Sequence, residues 1–209
     1  MTTFADWDET PRPFLPPLHQ DVHGKLILHM LTRALVGDDP AVSRTKPGRG
    51  LFNNAIRLMD KTIAEYEAAQ SLCAQWVDGL DRGAPSFASF FRATGHVETC
   101  IGTLHRTLLH LDVIRTSPGT GQVNRTAHRA LQHATLEINN LRDGIEHAEK
   151  ELRRIPEDSP ALPGVLLMDE RVAVGEYSIN YADLSQWISQ TFRLVVSLFG
   201  PPTKPATSR

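Results

Sequence analysis

Apolar residues recur along most of this chain at alternating spacings of three and four. That rhythm predicts long helices, each with one narrow buried stripe. The clearest stripe is Leu131, Ala134, Ile138, Leu141, Ile145, Ala148, Leu152 and Ile155, a heptad seam that predicts one helix over about 122–155. A second runs Phe52, Ile56, Met59, Ile63, Tyr66, Gln70, Cys73, Val77 and Leu80, with Gln70 the one polar residue in the seam. A third, Phe87, Phe90, Thr94, Val97, Ile101, Leu104, Leu108 and Leu111, follows a Gly83-Ala84-Pro85 turn, with Ser86 placed as its N-cap. An earlier helix over about 18–36 has Val22, Leu26, Ile27, Met30, Ala34 and Leu35 on one side. A last helix shows Leu184, Trp187, Ile188, Val195 and Leu198, with Asn180 as cap and Asp183 in its favourable first turn.

The texture changes before that last helix. Val165-Leu166-Leu167-Met168, Val172-Ala173-Val174 and Tyr177-Ser178-Ile179 are short β-prone runs, and Gly175-Glu176 fits a tight reversal between the last two. The predicted fold is therefore mainly α: an elongated antiparallel bundle of about five helices with a small C-terminal β-hairpin or meander. Pro11, Pro13, Pro16 and Pro17 make residues 1–17 an extended arm. Residues 18–199 form the bundle domain, including the β element at 165–180. The segment 37–50 reads as a loop, and the proline-containing 200–209 as a disordered tail.

Composition narrows the classes. The 41% hydrophobic and 22% charged fractions of the 209 residues are ordinary for a soluble protein of one domain. A net charge of -2 argues against a general nucleic-acid coat, though not against an enzyme that meets RNA at one local patch. Cys73 and Cys100 form no CxxC pair and read as free core thiols in a reducing compartment. The acidic N-terminus lacks the pattern of a signal peptide, and no apolar run is long enough to span a membrane. The expectation is a cytoplasmic protein with no membrane partner.

Candidate chemistry centres on Arg142-Asp143-Gly144-Ile145-Glu146-His147. Arg142 and His147 are five residues apart, so a straight helix points them roughly 140° away from each other. Bringing them together takes a local distortion or a second subunit. Gly144 lies between them and permits a kink or the close approach of another backbone. Asp143 and His147, four apart, share a face. A histidine titrating near neutrality can move protons, an arginine can brace a phosphate through its fork, and a carboxylate can orient either. The same residues also fit a ladder of solvated charges, since Arg142–Glu146, Glu146–Lys150 and Glu149–Arg153 are all four apart.

This stretch resembles the Arg-polar-x3-His motif of the HEPN superfamily, whose members are helical bundles and often metal-independent ribonucleases. The resemblance covers six residues and marks Arg142, Asp143 and His147. It implies a homodimer in which the motifs of both subunits face one cleft, RNA as substrate, no cofactor, and a role as toxin or phage-defence effector with an antitoxin or defence partner. In that reading Arg142 stabilises the phosphate, His147 transfers protons and Asp143 orients them.

Arg44, Lys46, Arg49 and Arg57 form a basic run with no acid between Asp39 and Asp60, a candidate for substrate phosphates or simply a solvated loop. His19–His23 and His96–Cys100 have the i, i+4 spacing of metal-ligand pairs, but no third ligand lies near either in sequence, so no metal is expected. Glu98 and Arg106 would support an Arg142 cleft if their helix pairs with the 122–155 helix. The alternatives are a non-catalytic helical protein that binds a partner, and a His-based metal-binding bundle.

Overall fold

The structure, a computed structural model, describes residues 10–35, 46–117, 123–152 and 164–199; at 29, 33–35 and 148–152 it describes backbone only. The elements in order are α1 (Leu26–Leu35), α2 (Lys46–Asp81), α3 (Phe87–Thr116), α4 (Arg125–Ala130), α5 (Gln132–Leu152), β1 (Val165–Leu167), β2 (Arg171–Val174), β3 (Tyr177–Asn180) and α6 (Tyr181–Ser197). The architecture is mainly helical, with a small antiparallel meander before the last helix.

The centre is the antiparallel pair α2–α3, of 36 and 30 residues. Ile56, Met59, Ile63, Val97, Ile101, Leu104 and Leu108 are all buried, as their spacing predicts. Each such side chain contributes roughly 1.5–3 kcal/mol relative to leaving it in water. Ser86 caps α3 by accepting from the Ser89 N–H. Two side-chain polar contacts join the pair: at its buried centre the Thr62 hydroxyl donates to Thr103 Oγ1 at 2.9 Å, and His96 Nδ1 meets Glu65 Oε2 at 2.6 Å where the pair is partly exposed. Cys73 and Cys100 are buried free thiols; burial pushes the Cys73 thiol up to about 12 and Cys100 upward as well.

Gln70 interrupts the α2 seam because the proline-rich arm lies across it. Three α2 side chains donate to arm carbonyls: Tyr66 Oη to Pro16 at 2.7 Å, Gln70 Nε2 to Leu15 at 2.8 Å and Trp76 Nε1 to Pro11 at 2.9 Å. The arm also reaches the β1–β2 turn, where the Phe14 N–H donates to the Asp169 carbonyl. It is a docked strap over 10–17; residues 1–9 lie outside the described residues, as does the 200–209 tail.

Three boundaries differ from expectation. α1 begins at Leu26 rather than near 18, because the Asp60 carboxylate of α2 accepts from the Leu26 and Ile27 N–H groups and caps the helix across 34 and 33 residues of chain. His19 and His23 are therefore not on a helix; residues 18–25 are irregular, held by Arg193, which clamps Asp21 at 2.8 and 3.1 Å. α2 starts at Lys46, so the latter part of the expected 37–50 loop is helical, while 36–45 lies outside the described residues. The single 122–155 helix is two: Asn124 caps α4, the chain turns at Leu131, and α5 follows. Leu131, Ala134, Ile138 and Leu141 are buried as the heptad predicts, and Ile145 is partly so.

The meander has order β1-β2-β3, and its register sets Leu167 opposite Val172 and Val172 opposite Ile179. These three and Val174 turn inward onto the helices. Gly175, at φ 57°, makes the predicted reversal with Glu176. Asn180 stands at the N-cap position of α6 without a side-chain cap bond, and Asp183 is in the first turn. Leu184, Ile188, Phe192 and Val195 bury α6, with Trp187 partly covered.

Gly144 is explained by this sheet. A Cβ there would lie 3.1 Å from Val174 Cγ1, so β2 occupies the approach that the glycine opens. Gly102 of α3, by contrast, faces open space. Gly144→Leu is expected to destabilise the fold by about 1–3 kcal/mol through overpacking against β2. Gly102→Ala should stabilise it by up to about 1 kcal/mol through helix propensity. Denaturant midpoints of the two variants check both signs.

Candidate functional site

Phase along α5 divides the Arg-Asp-His motif. Arg142 and Glu146 lie on the side facing α3, Gly144 faces the sheet, and Asp143 and His147 lie toward the outer face. The Arg142 guanidinium is committed along its own helix: Nε donates to Glu146 Oε1 at 2.9 Å and Nη1 to Asp143 Oδ1 at 3.1 Å. Asn139 Nδ2 donates to the other Asp143 oxygen at 3.1 Å. His147 is exposed, and among the described residues it has no hydrogen bond or ion pair. The natural Asp143–His147 contact is not formed, and one chain does not bring Arg142 and His147 together.

What Arg142 does meet is a cleft of about 510 Å³ between α2, α3 and α5. Its charged lining is Lys61 of α2, Arg106 of α3, and Arg142 and Glu146 of α5; Thr99, Gly102 and Thr103 form its floor. Three cations thus face one carboxylate. Arg142 is paired, but Lys61 and Arg106 make no ion pair among the described residues. The floor hydroxyls are spent as donors, Thr99 to the Gly95 carbonyl at 2.8 Å and Thr103 to the Thr99 carbonyl at 2.9 Å. The free donors of the cleft are therefore cationic.

The histidine in this cleft is His105 of α3, only 5% exposed. Burial and the Arg142 charge lower its pKa from 6.5, opposed by Asp143, a hydrogen bond with Asn139 and Glu146. No motif or ligand-pair spacing marks His105 in the sequence. The signal that would have found it is phase: a titratable residue four after Ile101 and three before Leu108 falls on the buried side of its helix. Arg106 lines the cleft as expected; Glu98 does not, and burial raises its carboxyl pKa.

Arg44 of the basic run lies outside the described residues. Lys46 and Arg49 are exposed on the first turn of α2 rather than in a loop, and Arg57 follows, also exposed. By helical phase Lys46, Arg57 and Lys61 share one side of α2, so this basic stripe runs toward the cleft while Arg49 is turned away from it. His96 binds Glu65 through Nδ1 at 2.6 Å, and no group of three or more potential metal ligands occurs among the described residues. Among those residues, too, no helix is long and apolar enough to cross a membrane.

His105 and His128 both have pKa values lowered from 6.5, chiefly by burial. The unfolded chain therefore binds protons before the native one does. Their contribution to stability is complete above pH 6.5 and is lost as pH falls from there through the lower native values. The denaturant midpoint should fall between pH 7.5 and 5.5, and His105→Gln should flatten that slope. In comparison with known proteins, no family model matches this chain, and no curated protein or solved structure shows significant similarity to it.

Proposed function

We propose that this chain is a HEPN-like, metal-independent endoribonuclease acting at the α2–α3–α5 cleft. The observation that carries the reading is the position of Arg142: the arginine of the motif stands on the wall of a cavity whose other cations, Lys61 and Arg106, have no ion-pair partner among the described residues. A phosphodiester seated there meets bidentate and point-charge donors in a partly enclosed site, where such contacts are strongest. The stripe of Lys46 and Arg57 extends positive charge along α2 and supports binding of the flanking strand. In this reading Asp143 holds Arg142, and His147, exposed on the outer face of α5, is contributed to the cleft of a second copy. The face at Gly144 is covered by β2, so the homodimer contact is assigned to the outer face, where Leu136 is 60% exposed. A toxin or phage-defence role with an antitoxin partner is the part of this proposal that rests on the motif alone.

A second reading, a non-catalytic partner-binding protein, is favoured by one observation: α1 carries exposed Ile27, Leu28 and Leu31. In it the Arg142–Glu146 pair is a solvated charge ladder and nothing more. Incubation of mixed cellular RNA with purified protein in excess EDTA separates the two. The ribonuclease predicts cutting that falls by about 10²–10³ in Arg142→Ala, a similar loss in His147→Ala, and a solution mass of two chains. Intact RNA, or equal cutting by wild type and both folded variants, refutes it.

A further inference from the structure

The sequence motif pairs Arg142 with His147, whereas the fold pairs Arg142 with His105. We propose that the α2–α3–α5 cleft is a phosphate-ester binding site complete within one chain, in which Lys61 and Arg106 grip the phosphate and His105 takes up a proton as it binds. This deepens the ribonuclease reading by naming the group recognised and the histidine beside it, and rests on that reading only for what happens to the ligand afterwards.

Three features of the cleft converge on this ligand. With the floor hydroxyls committed to backbone carbonyls, the unspent donors are the ammonium of Lys61 and the guanidinium of Arg106. Such a set selects an acceptor-rich anion with several oxygens, and a volume of about 510 Å³ admits a phosphate with an attached sugar or base. Glu146 guards one side, and its bond to Arg142 gives the cleft a switchable wall: an incoming phosphate competes with the carboxylate for the same guanidinium.

His105 supplies the third feature. It is a buried imidazole in a wall of the cavity, within electrostatic reach of Arg142, Asp143 and Glu146 of α5 and hydrogen-bonded with Asn139, with Lys61 of α2 and its neighbour Arg106 lining the same space. Without ligand, burial and then the Arg142 charge hold its pKa below 6.5, so it is neutral near pH 7. A phosphate anion placed among Lys61, Arg106 and Arg142 offsets their charge and favours the imidazolium, so binding and protonation are linked. A neutral imidazole that gains a proton when a phosphate arrives is positioned for proton transfer to or from that ligand.

The test follows the His105 ring by NMR, assigned by its absence in His105→Gln, during titration with inorganic phosphate and separately with a short 2′-O-methyl RNA that no 2′-hydroxyl chemistry can cut. The expected result is saturable shifts of the His105 signals with a raised titration midpoint. Binding should weaken at least about tenfold in Lys61→Ala/Arg106→Ala. It should be blocked in Gly102→Leu, which fills the floor while leaving every charge in place and has open space for its Cβ. Saturation by the RNA but not by inorganic phosphate identifies an ester within a strand as the ligand; saturation by both identifies the phosphate group itself. Failure of both to move His105, or equal binding by Gly102→Leu, overturns the proposal. The two readings fail separately: binding without any RNA cutting removes the ribonuclease and leaves the site, whereas EDTA-resistant cutting that survives Gly102→Leu removes the site and, with it, the placing of the cutting in this cleft, leaving a ribonuclease that acts elsewhere on the chain.

Discussion

Two long helices that bury facing seams against each other set every other position in this protein. The α2–α3 pair is where the chain's strongest periodicities meet, and its apolar contacts are interrupted at the centre by the Thr62–Thr103 hydrogen bond. A hydroxyl pair in an apolar seam is tolerated only when both members are satisfied, which fixes the register of the two helices as well as their contact. The strap, α1, α5 and α6 are then laid on a surface already defined. α1 shows the dependence most directly, since it starts where Asp60 of α2 reaches its first N–H groups.

The same register creates the cleft. Gly102 and Thr103 follow Ile101 on α3, just beside its buried stripe, and the bare surface at Gly102 leaves room that α5 does not fill. On another side of α5, β2 packs closely against the helix, with Val174 lying where a Gly144 side chain would be. The glycine in the middle of the motif thus serves packing of the meander, and the arginine beside it is turned toward α3. Arg142 is a compromise between two demands, since its charge is balanced by Glu146 and Asp143 at the moment it borders the cavity.

Much of the fold was legible because buried stripes and β-alternation are local signals. The central parts of the α2, α3 and α5 seams, the cap at Ser86 and the reversal at Gly175 appear as read from residue spacing, although Phe87 at the start of the α3 stripe is 54% exposed and the α5 stripe beyond Ile145 lies outside the described side chains. What was illegible depends on partners distant in the chain. Nothing near Leu26 announces a cap supplied by Asp60, and Leu131 continues the heptad even though the helix breaks there. Gln70 looked like a defect in its seam until the Leu15 carbonyl was placed beside it. The candidate site divides the same way. Arg142 and Arg106 were singled out from their own helices, but the role of His105 exists only because α5 packs Asn139 and Arg142 beside it. His147 drew attention by proximity in sequence, which on a helix is no guide to proximity in space.

The two thiols buried on α2 and α3 give this architecture an internal clock. Held protonated and out of reach of solvent, Cys73 and Cys100 are shielded from alkylating reagents and oxidants while the helices remain paired. Their modification must wait for the pair to part, so the rate at which a thiol reagent reacts reports how often the centre of the molecule opens.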